Sequence, residues 1–325
     1  MKVLAADVGA TKTRLALVEP GESFLRIEAE ATHRSAAYDG LESLALAFLA
    51  EQEAAVDAAA FGLPGPVLRG RVRTTNLPWE VTVDGLAATL GIRHVLLLND
   101  LQATAYGIGE LNSEDMEVIA AGDPEAGGNA ALIAPGTGLG EAGMFWDGGR
   151  FRPFATEGGH CDFGPADETD FALHQHLAER SGHVSWEKVL SGPGLLNIHE
   201  FLRTHRGSPV PEWLERDMAE GDPAAAIANA AEARTCPVCS EAMDRFVRYF
   251  GAEAGNLGLK FMATGGVFLG GGIAPRIAGR LLEPDFLAAF RSKGRMGDLM
   301  ARMPVKLIRN DRAALLGAAR SAALL

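Results

Sequence analysis

The chain has 325 residues, 47% hydrophobic and 22% charged, enough for about two domains with substantial cores. Its 30 basic and 42 acidic residues leave a net charge of −12 with no basic block, so neither nucleic acid nor an anionic membrane is expected as a partner. No stretch approaches the roughly 20 apolar residues that span a bilayer, and Met1-Lys2 leads into an apolar run too short for a secretory signal. Three cysteines (Cys161, Cys236, Cys239) make no disulfide framework, and the expected location is cytoplasmic.

The first elements read as a meander. Strands are expected at residues 3–6, 13–18 and 24–31, separated by a Gly/Thr turn and by Glu19-Pro20-Gly21-Glu22. Leu41, Leu44, Phe48 and Leu49 recur at helical spacing and predict a helix over 41–51, followed by a strand at 55–62. A helix over 83–90 precedes residues 94–98, whose Val/Leu run reads as a strand covered on both faces. That strand ends at Asn99-Asp100, and a helix begins just after. After a surface loop at 122–128 the second half repeats the opening: a strand at 130–134, a second Gly/Thr turn, and strands at 143–146 and 150–154 around Asp147-Gly148-Gly149. Helices are expected over 168–180, 186–205, 223–233 and 237–261, then a short strand at 266–269 running into Gly270-Gly271-Gly272 and a helix from near Pro275. A strand at 303–308 and an Ala/Leu helix over 312–325 close the chain. Three strands followed by alternating helices and strands, twice over, predict a duplicated α/β layout with a helix-covered sheet in each half.

The two Gly/Thr turns carry the chemistry. The first is Asp7-Val8-Gly9-Ala10-Thr11, entered from Ala6, and the second is Gly136-Thr137-Gly138 after Pro135. Glycine lets backbone N–H groups approach an anion, and threonine adds a hydroxyl donor. Neither is a Walker A loop, since no Gly-x-x-x-x-Gly-Lys-Ser/Thr occurs. Gly138, Gly140 and Gly143 match a dinucleotide fingerprint, but Met144 onward reads as strand, turn, strand, so the helix that would hold a pyrophosphate is not expected. Asn99-Asp100 ends a buried strand, where open α/β sheets hold ligands; it also reads as a plain helix cap. Glu157 and His160 on a glycine loop, with Glu187 before a helix, suit a polyhydroxyl ligand. Gly271, within Gly270–272, either lets an adenosine approach the backbone or simply turns the chain. Cys236-Pro-Val-Cys239 lacks the further Cys pair or suitably spaced His that a structural zinc site needs, and reads as a helix start.

In this order the motifs around Asp7, Asn99-Asp100, Gly136–Gly140, Glu157–His160, residues 183–194 and residues 265–273 resemble bacterial glucokinases of the proteobacterial type, within the hexokinase/actin-like superfamily. The resemblance runs from about residue 3 to 317 and is most specific around Glu187. It implies a duplicated actin-like/hexokinase (ribonuclease H-like) fold, with a small domain of residues 1–110 plus 311–325, a large domain of 111–310, and an active-site cleft between them. It implies phosphorylation of D-glucose at its 6-hydroxyl by ATP with Mg2+. Asp100 matches the general base; Asn99, Asp100, Glu157, His160 and Glu187 match sugar-binding positions; Ala6–Thr11 match the phosphate loop. The metal has no direct protein ligand, being held through ATP with Asp7 acting through water. A homodimer is also implied. Ala10 and Ala134 stand where glycines are usual, and only Cys161 follows His160 where a neighbouring repressor/kinase family has a Cys-rich zinc motif, so no zinc is expected there. A kinase for fructose, mannose or glucosamine remains open, because hexose choice rests on pocket shape around single hydroxyls. A sugar-sensing regulator and an actin-like ATPase are the other classes considered. The −12 charge and a first strand at residue 3 count against the regulator, and the Glu157/His160/Glu187 set counts against the ATPase.

Overall fold

Residues 1–21, 24–74, 77–123 and 125–325 are described in the computed structural model, so Glu22 of the expected turn and Pro124 of the expected loop lie outside the described residues. The chain divides into two units: Met1–Met116, Ala142–Ala155 and Asn310–Leu325, and Glu117–Glu141 with Thr156–Arg309. Residues 142–155 fall in the first unit rather than within the expected 111–310.

The first unit begins with β1 (Val3–Val8), β2 (Lys12–Pro20), β3 (Leu25–Arg34), α1 (Leu41–Glu51) and β4 (Ala58–Leu63). A small hairpin of β5 (Arg71–Arg73) and β6 (Glu80–Thr82), not expected from the sequence, leads to α2 (Val83–Leu90), β7 (His94–Asn99) and α3 (Asp100–Gly107). The second run comprises β8 (Met116–Ala120), β9 (Ala130–Pro135), β10 (Leu139–Trp146) and β11 (Phe151–Thr156). Then come α4 (Glu168–Ser181), α5 (Gly192–Arg206), α6 (Glu212–Glu220), α7 (Pro223–Glu232), α8 (Pro237–Phe261) and β12 (Gly266–Leu269). Three short helices, α9 (Ala278–Leu281), α10 (Pro284–Arg291) and α11 (Gly297–Arg302), precede β13 (Val305–Ile308) and α12 (Ala313–Ala323).

Sheet order carries the duplication. The first sheet runs β3-β2-β1-β4-β7, with β1 antiparallel to β2 and parallel to β4. The second runs β11-β10-β9-β12-β13-β8, the same order with β8 added at the edge. Along β1 the pleat sends Leu4, Ala6 and Val8 to one face and Val3 and Ala5 to the other. The first set packs with Leu41, Leu44 and Phe48 of α1; the second packs with Leu315, Ala318, Ala319 and Ala322 of α12. The near-continuous apolar runs of β1, β4 and β9 are those of strands covered on both faces. In the second unit α8 lays Phe246, Phe250, Ala254 and Leu257 into a core shared with Ile133, Val267 and Leu307.

One expected helix is two elements. Residues 186–205 divide into a 3-10 turn, Trp186–Lys188, and α5. Ser191 is extended (ψ 177°) and its Oγ accepts from Gly194 N at 3.0 Å, so the helix starts afresh at a capped Ser-Gly-Pro. Strand ends differ from expectation by a few residues: the expected 55–62 is Ala58–Leu63, and 303–308 is Val305–Ile308. The expected helix near Pro275 is a 3-10 turn, Ala274–Ile277, running into α9.

Candidate active site

In the first unit the site residues stand at the ends of parallel strands. Asp7 pairs with Gly62, Gly62 with Leu98, and Leu63 with Asn99, so the ends of β1, β4 and β7 bring Asp7 and Asn99-Asp100 to one edge of the sheet. Gly62 makes room there: a Cβ would lie 2.9 Å from the Ala103 methyl of α3. Asn99 is the cap that the plain reading expected. Its Oδ1 accepts from Leu101 N (3.0 Å) and Gln102 N (3.3 Å), and its Nδ2 donates to Gly65 O at 3.3 Å. Asp100 opens α3, its Oδ1 accepting from Leu101 N at 2.9 Å, which places an acidic group on the positive end of the helix.

The first turn is tied from inside. Gly9 N donates to Lys12 O at 2.9 Å, and a Cβ on Gly9 would lie 2.7 Å from that oxygen, so glycine is required there by space. Ala10 is exposed and is not among the residues with positive φ, so the turn does not need glycine at that position. Ser35, fully buried, donates from Oγ to Gly9 O (2.8 Å) and from N to Thr11 O (3.1 Å). Thr11 itself is exposed. Burial pushes the Asp7 carboxyl up to about 6, against the opposing pull of Arg14 and with a further push from Asp311.

In the second unit four segments converge. Gly136 N donates to Gly138 O and Gly136 O accepts from Gly192 N, both at 2.8 Å, so the second turn is closed on itself and strapped to the start of α5. Glu187 Oε2 accepts from Leu139 N at 2.9 Å and passes so near Gly138 that a Cβ there would lie 2.5 Å away. Thr137 is exposed at the tip. The loop of Glu157 and His160 is a 3-10 turn whose Gly159 packs against Leu139 O, where a Cβ would lie 2.2 Å away. Both side chains, Glu157 and His160, are exposed. Gly271, at φ +79°, sits against Pro135 O, 2.5 Å from where a Cβ would be, and Ile273 N donates to the same oxygen at 3.2 Å. The structure thus gathers Gly136–Gly138, Glu157–His160, Glu187 and Gly271 in one region of this unit. It also removes the dinucleotide reading, because Gly140 and Gly143 lie within strand β10.

The comparisons with known proteins decide the family. The glucokinase family model matches residues 4–324. The chain belongs to the glucokinase family. It is 36% identical to a glucokinase of Nostoc punctiforme, covering 99% of each chain, and 38% identical to one of Synechocystis, covering 98% and 97%. The crystal structure of a glucokinase from an Antarctic psychrotroph aligns with a TM-score of 0.88 at 31% identity, covering 100% of this chain and 99% of that one. The fold is therefore the duplicated actin-like/hexokinase fold, as the repeated sheet order also requires.

Two residues of this family member's site region carry no sequence signal. Ser35 lies 26 residues beyond the turn it braces. Glu141, on β10, is 1% exposed, and neither carboxylate oxygen has a hydrogen-bond partner among the described residues. It faces Gly158, where a Cβ would lie 1.9 Å from Oε2, so it stands behind the Glu157–His160 loop. Burial, with the nearby Glu253 charge, pushes its carboxyl up to about 8 despite Lys260.

Proposed function

We propose that this protein transfers the γ-phosphoryl group of ATP to the 6-hydroxyl of D-glucose, giving glucose 6-phosphate and ADP. The observation that carries the reading is the glucokinase-family match over residues 4–324. Asp100 is the general base: its carboxylate takes the hydroxyl proton as O6 bonds to the γ-phosphorus and the bond to the β-phosphate oxygen breaks. Asn99, Glu157, His160 and Glu187 hold the sugar. Glu187 keeps one oxygen on Leu139 N and offers the other, which couples the sugar contact to the second turn. Asn99 fixes the first turn of α3, and with it Asp100, while its amide retains a second N–H for a hydroxyl. The Ala6–Thr11 turn and Gly136–Gly138 take the phosphates, and Gly271 lets the adenosine approach the backbone.

Mg2+ fits the first turn by charge. Asp7 is a carboxyl burdened by burial and by the Asp311 charge, with Arg14 already bonded to Asp311 at 2.9 Å. A hydrated dication relieves such a group, so Asp7 would hold Mg2+ through water; bound with ATP, the ion neutralises phosphate charge. We assign the protein to the cytoplasm, as a homodimer, with glucose and ATP as its small-molecule substrates. Among the described residues no helix is long and apolar enough to cross a membrane.

The test is a coupled assay of ADP formation with glucose, fructose, mannose and glucosamine, run on the wild type and on Asp100→Asn. Glucose is expected to give the highest kcat/KM. The variant is expected to bind glucose as before with kcat lower by roughly 10²–10⁴-fold. Sugar-independent ATP turnover would end the kinase reading, and Asp100→Asn turnover within about tenfold of wild type would remove Asp100 as base.

A further inference from the structure

We propose that His199, Cys236 and Cys239 form a binding site for a zinc-like divalent transition metal, separate from the residues assigned to glucose and ATP. Their ligand atoms all lie within 4.8 Å of one another. All three are buried, at 2%, 4% and 0% exposure, and both cysteines are free thiols. His199 comes from the middle of α5. Cys236 caps α8 and Cys239 lies in its first turn, the two linked by a Cys239 N to Cys236 Sγ hydrogen bond of 3.4 Å.

Three arguments point to a metal rather than to packing. First, His199 Nδ1 is a buried polar atom with no hydrogen-bond partner among the described residues, a costly state that a native interior normally avoids. Second, donors on one tetrahedral ion stand about 3–4 Å apart, so a 4.8 Å cluster needs only a slight closure of side chains. Third, the donors are complementary in charge: a dication displaces one proton from each thiol to solvent and leaves two thiolates and a neutral imidazole around it, electrically neutral in a buried place. Two sulfurs and a nitrogen select zinc-like ions and reject Mg2+ and Ca2+, which take oxygen. Three protein donors leave a fourth tetrahedral position for water.

Thr235, which precedes Cys236, and Ala230, whose carbonyl accepts from Thr235 N at 3.0 Å, line a cavity of about 480 Å³ that also carries Asp217, Glu220 and Asp222. Acidic walls draw cations toward this part of the unit. A bound ion would pin α5 to the start of α8, two helices otherwise joined by apolar contact and by the Arg206–Glu241 ion pair.

The experiment titrates the full-length protein with Co2+ under a non-thiol reductant, then displaces it with Zn2+. One equivalent is expected to bind with a thiolate-to-cobalt charge-transfer band that Zn2+ abolishes, and Cys161→Ser is expected to keep the band. His199→Phe, which keeps a ring in the buried site, is expected to weaken Co2+ binding by roughly a hundredfold or more, beyond the loss from removing an outer-shell partner. Cys239→Ser, which leaves one thiolate, is expected to lose about half or more of the charge-transfer intensity. Circular dichroism and glucose turnover identify the folded variants. As a second readout, Zn2+ is expected to slow modification of Cys236 and Cys239 by a thiol reagent in the wild type. The proposal is overturned by folded wild type that shows neither band nor protection, or by a band whose intensity and affinity are unchanged in both folded variants.

Discussion

Glu141 and Gly138 show how single residues set the conditions of the site. Glu141 keeps its proton to about pH 8 in the folded chain, whereas its ordinary value is 4.5. Between these values the unfolded state binds fewer protons, so this group makes stability fall as pH rises; its penalty is absent below 4.5. Glu141→Gln is therefore expected to stabilise the protein by about 1–3 kcal/mol at pH 8 and by little at pH 4. Urea midpoints at the two pH values check this, and equal shifts at both would show that ionisation is not the cause. Gly138 acts through its neighbour. A methyl there meets Glu187 Oε2 at 2.5 Å, so Gly138→Ala must displace that carboxylate. Under the proposed sugar contact, KM for glucose should rise about tenfold or more with a smaller change in KM for ATP, as steady-state kinetics with each substrate varied would show. Neither pairing is visible in the sequence: Gly138 and Glu187 are far apart along the chain, and a buried unpaired glutamate looks like any charged residue on a strand.

Elements were legible where local signals closed them at both ends. Helix α2 has Thr82 Oγ1 accepting from Gly85 N and ends on Gly91 in the left-handed region, and α8 opens with proline at its first position. Both match the expected bounds. The β5–β6 hairpin and helices α6, α10 and α11 were not expected, because pieces of three to nine residues are held by packing rather than by propensity. Packing between elements is likewise a matter of particular glycines. In α3 and α12, Gly107 lies where a Cβ would be 1.9 Å from Ala313 O, and Gly317 where one would be 1.8 Å from Ala103 O. Gly317→Ala must push these helices apart and is expected to cost about 1–3 kcal/mol, measured as a lower urea midpoint at unchanged slope. An unaltered midpoint would mean that the two helices part without loss of packing. Since α3 begins at Asp100, the same variant should also lower kcat.

On the scale of the whole molecule the proposed homodimer makes a mass prediction: sedimentation should give twice the 34.3 kDa of one chain, and a single-chain mass at micromolar concentration would refute it. The repeated sheet order explains why the fold class could be read from the chain. Strand, Gly/Thr turn, strand, then alternation with helices is a local pattern, and the chain states it twice. The sequence by itself determined the α/β class, the two turns, Asp100 at a strand end and the glucokinase family resemblance, because short-range periodicity and motif order carry them. Tertiary structure decided what those motifs touch. It tied the Asn99 amide to Gly65, put Ser35 under the first turn, strapped the second turn to Glu187 and Gly192, and brought His199 to the two cysteines. The physical reason is that these are contacts across tens of residues, set by which faces the helices bury against the sheets, and no spacing along the chain records them.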